Sequence, residues 1–104
     1  MPHCFEVELA EKYGIFEAIL IEFFKIDIEA NKAHLVNFHD GMYWSVITMK
    51  ELQTIHPYMT IARIKSATEH LQREGILLVG SFGKDHDNRN RTKWYTLTEM
   101  GWRL

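Results

Sequence analysis

Cationic, imidazole and hydroxyl side chains share one face of the segment that spans residues 60–74. At 100° per residue, this face points away from the apolar positions of the same segment. Its members are Arg63, Ser66, His70 and Arg73, with Lys65 at the flank. Groups of these types donate hydrogen bonds to phosphate oxygens and to base edges. The pattern therefore favours binding to a polyanion, and its structural alternative is a solvated helix surface.

Thr60 stands directly before this face and has the residue type of a helix N-cap. A threonine oxygen at that position accepts an early backbone N–H, and the partial positive charge of a helix N-terminus attracts anions. We therefore expect Thr60 both to begin the helix and to contact a phosphate. Arg63 and Ser66 lie near the same end, so we expect them, with His70, to influence sequence choice.

A second cationic segment covers residues 82–93. It combines glycine and asparagine residues with four cations, which are Lys84, Arg89, Arg91 and Lys93. Such a composition is typical of an exposed hairpin tip. We expect these cations to hold a nucleic-acid backbone and to set affinity without reading sequence. Asp85 and Asp87 are the objection, since they could pair with the arginines and hold them away from phosphate.

The composition disfavours other kinds of chemistry. The chain has 104 residues, 46% of them hydrophobic, which is enough for one modest core. A single cysteine, Cys4, excludes an internal disulfide and a multi-cysteine zinc site. Because no phosphate loop, nucleophile elbow or metal motif occurs, we expect neither an enzyme nor a bound metal or other cofactor. Apolar runs of at most four residues, with no signal stretch, predict a cytoplasmic protein without a membrane partner.

Charge is distributed unevenly along the chain. The net charge is −2. Residues 1–59 carry 4 basic and 9 acidic side chains, whereas residues 60–93 carry 7 basic and 4 acidic ones. A phosphate backbone interacts with the local electrostatic field of a protein. The excess of basic residues in 60–93 therefore matters more for binding than the net charge of the whole chain. Chance clustering of surface charge is the alternative interpretation.

Caps, turns and periodicity predict the secondary structure. Thr48 and Glu51 form a capping box, Thr60 and Thr98 are further N-caps, and Gly75 has the type of a C-terminal cap. Pro57 ends the preceding helix, and Asp40-Gly41 predicts a turn. The predicted helices cover residues 8–13, 15–31, 49–55 and 61–74, the predicted strands cover 43–47, 76–81 and 92–97, and residues 98–104 form a short turn or helix.

The order of these elements is typical of a winged helix-turn-helix. The sequence therefore predicts an α+β fold, mostly helical, with a three-helix core and a small antiparallel β-sheet that carries a wing hairpin. A single domain covers residues 1–104, of which 1–14 are an N-terminal extension. In this arrangement the helix after Thr60 enters a major groove.

Several local motifs between residues 40 and 97 carry a family resemblance. They are Asp40-Gly41 with Trp44, Lys50-Glu51-Leu52, His56-Pro57-Tyr58, Thr60-Ile61-Ala62-Arg63, Leu71-Gln72-Arg73-Glu74-Gly75-Ile76-Leu77 and Asn90-Arg91-Thr92-Lys93-Trp94-Tyr95-Thr96-Leu97. With these motifs, residues 40–97 resemble the winged-helix domain near the N-terminus of replication-initiator and replisome-organiser proteins of phages and plasmids in Gram-positive bacteria. The last two motifs, with the Thr98-Glu99-Met100-Gly101 that follows, are also similar to MarR-like and PadR-like transcription regulators. The resemblance implies double-stranded DNA as the partner, in replication initiation or transcription regulation.

The first long helix predicts self-association. Apolar side chains occupy about 240° of its wheel, whereas a surface helix needs a stripe only about 100° wide. The surplus ridge consists of Leu20, Ile21, Phe24 and Ile28. We expect it to form the interface of a homodimer, which would also pair two recognition helices on DNA. The alternative is that residues 1–13 and 98–104 cover the ridge within one chain.

The sequence leaves two functions from different classes open. The first is a DNA-binding module with a recognition helix and a basic wing. The second is a winged-helix module for protein interaction or assembly that binds no specific DNA, driven by the apolar first helix. Trp44, Trp94, Tyr95 and Phe82 are expected to pack in the core, with base stacking in a single-strand binder as the alternative. A salt-dependent shift of labelled duplex DNA separates the two functions.

Overall fold

The computed structural model describes residues 7–80 and 93–104, with side chains from residue 10 onward. These residues form five helices and five short strands. The helices are α1 (Val7–Tyr13), α2 (Ile15–Ala33), α3 (Met49–Ile55), α4 (Ile61–Arg73) and α5 (Glu99–Trp102), and the strands are β1 (Phe38–His39), β2 (Met42–Tyr43), β3 (Ser45–Ile47), β4 (Leu77–Gly80) and β5 (Lys93–Leu97).

The predicted N-caps begin three of the helices. At α3, Thr48 Oγ1 accepts from the Glu51 backbone N–H, and the Glu51 carboxylate accepts from the Thr48 N–H, both at 3.0 Å. The Thr60 hydroxyl accepts from the Arg63 N–H at 3.1 Å and so begins α4. Thr98 does the same for α5 through Gly101. Each cap satisfies a backbone donor that the helix itself leaves without a partner.

Helices α2 and α4 end in the same motif but with different residues. At the end of α4, Gly75 has φ 73°, and the N–H groups of Gly75 and Ile76 donate back to Gln72 and Leu71. Helix α2 makes the equivalent pair of bonds, from Leu35 to Lys32 and from Val36 to Asn31. There the left-handed position is occupied by Leu35, with φ 56°. Glycine is preferred at this position because a Cβ is strained in left-handed backbone.

The Asp40-Gly41 turn joins β1 to β2. Both residues have positive φ, and His39 pairs with Met42, as in a two-residue hairpin of type I′. The predicted strand 43–47 is divided at Trp44 into β2 and β3. The backbone N–H of Trp44 donates to the Asn37 carbonyl, and the Trp44 carbonyl accepts from the side-chain amide of Asn31. These two hydrogen bonds replace strand pairing at Trp44.

The second sheet has the strand order β3–β5–β4, with both pairs antiparallel. Leu77 pairs with Leu97 and Gly80 with Trp94 along the predicted hairpin, and Ser45 pairs with Tyr95. The segment that joins β4 to β5, residues 81–92, lies outside the described residues. The predicted wing contacts Lys84, Arg89 and Arg91 belong to that segment.

Helix α2 lies at the centre of the core. Its ridge residues are buried in the single chain: Leu20, Ile21 and Phe24 are 0% exposed and Ile28 is 3% exposed. The prediction that this ridge forms a dimer interface is therefore wrong, because these side chains have no surface left for a second copy. Several elements of the same chain surround α2, which contacts α1, α4, β2, β3 and β5. Helix α1 packs on α2, and at the C-terminus the Lys25 ammonium donates to the Leu104 carbonyl at 3.0 Å.

The protein is an α+β globule with a small antiparallel sheet, and its layout is compatible with a winged helix. The aromatic side chains that were expected in the core are there in two cases, since Trp44 is 3% and Tyr95 1% exposed. Phe24 stacks on Tyr95, with ring centroids 5.1 Å apart. Among the described residues, no helix combines the length and the hydropathy needed to cross a bilayer.

The two helix ends give opposite predictions for stability. Leu35→Gly removes a steric cost of roughly 1–2 kcal/mol but adds about 0.5–1 kcal/mol of backbone entropy to the unfolded chain. We expect the free energy of unfolding to rise by about 0.5–1 kcal/mol. Gly75→Ala should lower it by about 1 kcal/mol, since a Cβ at Gly75 meets no atom within 4 Å and only backbone strain is added. Urea unfolding at low protein concentration measures both, and a destabilised Leu35→Gly variant would contradict the first expectation.

Tyr95 predicts a loss of stability at high pH. Burial raises the pKa of Tyr95 from 10.0 to about 12, because the phenolate is poorly solvated in the core. The stabilisation is fully present below pH 10 and is lost as the pH rises through 12. This group alone should lower the free energy of unfolding by up to about 2–3 kcal/mol over that interval. Tyr95→Phe should flatten this part of the pH profile of urea unfolding, and equal profiles would contradict the assignment.

Candidate nucleic-acid interface

Helix α4 presents a polar face to solvent because its apolar residues pack inward. Ile64, Ala67, Thr68 and Leu71 are buried, and they contact α2, α3 and β4 through the inner face of the helix. The hydroxyl of Thr68 is satisfied by the Lys65 carbonyl at 2.9 Å. The opposite face therefore carries the predicted site residues, and all of them except His70 are exposed.

The N-terminal half of α4 is the more positive half. Arg63 and Lys65 lie there, and the first turn contains no acidic residue. Thr60, Ala62, Arg63 and Ser66 line a shallow depression of about 320 Å³ at this end. Glu69 and Glu74 lie further along, beside Arg73. An anionic ligand is therefore best accommodated at the beginning of the helix, where the helix dipole acts in the same direction.

Arg63 is positioned by an aromatic ring of α2. Its guanidinium lies 5.1 Å from the ring centroid of Phe16, which is the second residue of that helix. A guanidinium over a ring face is attracted by the quadrupole of the ring and loses conformational freedom. The Arg63 side chain is thus held at the flank of α4 and remains exposed to solvent.

His70 is engaged within the chain. Its Nδ1 donates to the Glu17 carboxylate at 2.5 Å, and its Nε2 lies 3.5 Å from the carboxylate of Glu74. The His70 side chain is 31% exposed and that of Glu17 only 16%. His70 therefore joins α4 to the first turn of α2, a role that the pattern along α4 alone does not indicate.

Four residues occupy the centre of the exposed face. Ala62, Ser66, Glu69 and Arg73 recur at spacings of four and three, which places them in one row. Arg63 and His70 lie on the side of this row that faces α2, and Lys65 lies on the other side. Ser66 and Arg73 are therefore the predicted site residues that project furthest from the core. Glu69 stands between them and repels phosphate, although its carboxylate can accept from the cytosine amine.

The segment between α3 and α4, together with the last residue of α3 and the first residue of α4, exposes apolar and aromatic side chains. Tyr58 is 59% exposed, Ile55 50% and Ile61 43%. His56 anchors the segment from the inside, because its ring is buried and its Nδ1 lies 3.0 Å from the Leu52 carbonyl. A turn fixed in this way gives α3 and α4 a defined orientation relative to each other, which a helix-turn-helix requires.

Lys93 is the only predicted wing contact within the described residues. It is exposed at the beginning of β5, opposite Ile47 of β3. The structure places it in the three-stranded sheet. The remaining wing residues lie in the segment outside the described range, so their part of the prediction stays a prediction.

Sequence reasoning missed the contribution of α2 to this face. Phe16 and Glu17 contact Arg63 and His70, and the two contacting pairs are separated by 47 and 53 positions. Neither pair belongs to a local motif. The one signal in the sequence is the pair of polar and aromatic residues at the first turn of an otherwise apolar helix, and it does not identify its partners.

The contact between Glu17 and His70 should stabilise the packing of α2 on α4. We expect a double-mutant cycle with Glu17→Gln and His70→Gln to give a coupling energy of about 0.5–1 kcal/mol in urea unfolding. The matched cycle between His70 and Glu74 should give less, because that contact is longer and Glu74 is half exposed. Equal coupling energies would show that the contact between Glu17 and His70 stabilises the fold no more than the contact between His70 and Glu74 does.

The described residues hold no group of three or more histidine, cysteine or acidic side chains that could bind a metal ion. What the structure offers is a polar helix face with a positive N-terminal half, backed by a buried helix and followed by a hairpin. No family model matches the chain, and neither does any curated protein or solved structure.

Proposed function

We propose that the protein binds double-stranded DNA, with α4 in the major groove. The observation that carries this proposal is the exposed face of α4. It is polar from Arg63 onward, has no acidic residue in its first turn and projects Ser66, Lys65 and Arg73 outward. A helix with such donors fits the width of the major groove and can reach base edges there.

The surrounding elements support the same function. Helix α3 and the fixed segment 56–60 precede α4, and the β4–β5 hairpin follows it, which is the order of a winged helix-turn-helix. Within this proposal Thr60 and Arg63 contact the phosphates at the helix N-terminus, and Ser66 and Arg73 approach the bases. His70 acts by positioning, since its ring is bound to Glu17.

The cations between the two sheet strands extend the proposal beyond the described residues. Lys84, Arg89 and Arg91, with Lys93, supply a basic wing that holds the DNA backbone. The resemblance of the local motifs favours a role in replication initiation or transcription regulation in the cytoplasm. The competing function, an interaction module driven by the ridge of α2, loses its basis because that ridge is buried.

Salt dependence tests the proposed DNA surface. Removing one cation that neutralises a phosphate should flatten the plot of log affinity against log salt by about 0.9. We expect Arg63→Ala with Lys65→Ala, which removes the two cations on either side of the central row of α4, to reduce the slope by nearly two units on a labelled duplex of mixed sequence, measured by fluorescence anisotropy. The fold should survive, since both side chains are exposed.

The control removes the same charge elsewhere. Lys12→Ala with Arg103→Ala deletes two exposed cations that lie on α1 and just after α5, away from α4. This double variant should keep the slope of the unaltered protein. If both double variants give the same slope, or if the unaltered protein does not bind duplex DNA at low salt, the proposed function is wrong.

A further inference from the structure

Glu69 carries a carboxylate at the centre of the exposed face of α4. It is exposed and belongs to the same row as Ala62, Ser66 and Arg73. Lys65 and Arg73 lie four residues before and after it, which is the spacing of a helical ion pair. Among the described residues, neither cation forms an ion pair with Glu69, and no hydrogen bond engages its carboxylate. The carboxylate is therefore available to a ligand that meets this face.

The neighbouring carboxylates are engaged within the chain. Glu17 accepts from one ring nitrogen of His70, and Glu74 lies 3.5 Å from the other ring nitrogen. These two groups share a histidine as their partner, whereas Glu69 has none among the described residues. Glu69 is therefore the carboxylate that a ligand on this face has to accommodate.

A carboxylate in a DNA interface discriminates between sequences. The phosphates around it repel its charge, so it weakens binding to any sequence that offers it no hydrogen-bond donor. A sequence with a donor at the right position compensates for this loss. Specificity is a difference between two affinities, and a group that weakens binding to most sequences increases that difference.

The edges of the bases determine which donor matches a carboxylate. An ionised carboxylate only accepts hydrogen bonds, and in the major groove only cytosine and adenine present an amine. Adenine carries its N7 acceptor beside the amine, so its edge suits a side-chain amide, which has both a donor and an acceptor. Cytosine presents its amine without such an acceptor, whereas guanine and thymine present acceptors that repel a carboxylate. The base that matches Glu69 is therefore cytosine.

We propose that Glu69 determines sequence choice by accepting a hydrogen bond from the N4 amine of a cytosine in the major groove. This inference rests on the proposed function, in which Ser66 and Arg73 approach the bases, because Glu69 lies between them in the same row. It adds to that function the residue that discriminates and the base that it reads. The cations of the same face supply the affinity that the charge of Glu69 reduces.

The test begins with sites that the unaltered full chain selects from a random duplex pool. Affinities for a selected site and for an unselected duplex are measured by fluorescence anisotropy at one salt concentration. We expect the selected sites to share a cytosine. Replacing this C·G pair by T·A should weaken binding about 5-fold or more, because the O4 acceptor of thymine then replaces the amine.

Glu69→Gln separates base reading from charge. The neutral amide removes the repulsion from phosphate, so binding to the unselected duplex should tighten. Because an amide matches N6 and N7 of adenine, the preferred pair at the shared position should change from C·G to A·T. Glu69→Ala should also bind the unselected duplex more tightly, and it should lose the preference at this position. A residue with a merely structural role would not change the preferred base.

Glu29→Gln is the matched control for the loss of one negative charge. Glu29 is exposed on α2, about 18 Å along the helix from Glu17, the residue that contacts α4. This variant should keep the preference for cytosine.

Three results would each overturn the inference. They are selected sites without a shared cytosine, an unchanged base preference in Glu69→Gln, and a changed preference in Glu29→Gln. If the unaltered protein still binds duplex DNA with the expected salt dependence, the proposed function stands without this inference. If the protein binds no duplex DNA at low salt, both are wrong.

Discussion

The burial of α2 is the constraint on which the rest of this structure depends. One helix of 19 residues is enclosed by α1, α4 and strands of both sheets, and its Leu20, Ile21 and Phe24 are fully buried. The other elements bury their own apolar side chains in the same core, among them Leu52, Ile64, Leu71 and Tyr95. Each remaining element is therefore placed by the strip of α2 that it covers. The ionised and polar groups at the edges, such as Asp27 with the Ser45 hydroxyl, follow from that arrangement.

The exposed face of α4 is a consequence of the same packing. Ile64 and Leu71 turn inward against the core, so the polar residues have only the solvent side left to them. The first turn of α2 then contacts the flank of that face through Phe16 and Glu17. Arg63 and His70 are held in defined positions before any ligand arrives. Preorganised side chains lose less conformational entropy when a ligand binds. The flank of α4 therefore binds a ligand at a lower entropic cost than a flank of flexible side chains would.

The two ends of α2 serve different surfaces. Its N-terminal turn supports the polar face of α4, and its C-terminal end leads through Leu35 and Val36 into the β1–β2 hairpin. Leu35 lies beyond the end of the helix and Glu17 lies on its polar side, so core packing does not dictate either residue type.

Local chemistry determined a large part of the fold from the sequence. The capping box of Thr48 and Glu51, the caps at Thr60 and Thr98, and the turn at Asp40-Gly41 each satisfy backbone groups with neighbouring residues, so their signals are contained in a few positions. The hairpin of β4 and β5 follows from two apolar stretches on either side of a polar segment. The polar face of α4 could be predicted for the same reason, because helical periodicity is a local property.

The partners of these elements were decided only by the tertiary structure. The ridge of α2 has the same pattern whether another copy or the same chain covers it, and here α1, α4 and strands of the same chain enclose the helix. His70 and Arg63 look alike as outward-facing donors, yet their contacts with Glu17 and Phe16 join residues about 50 positions apart. Trp44 divides a predicted strand because Asn31 and Asn37 lie within hydrogen-bonding distance of its backbone. Periodicity specifies which face of a helix is apolar, but which surface covers that face depends on how distant segments compete for it.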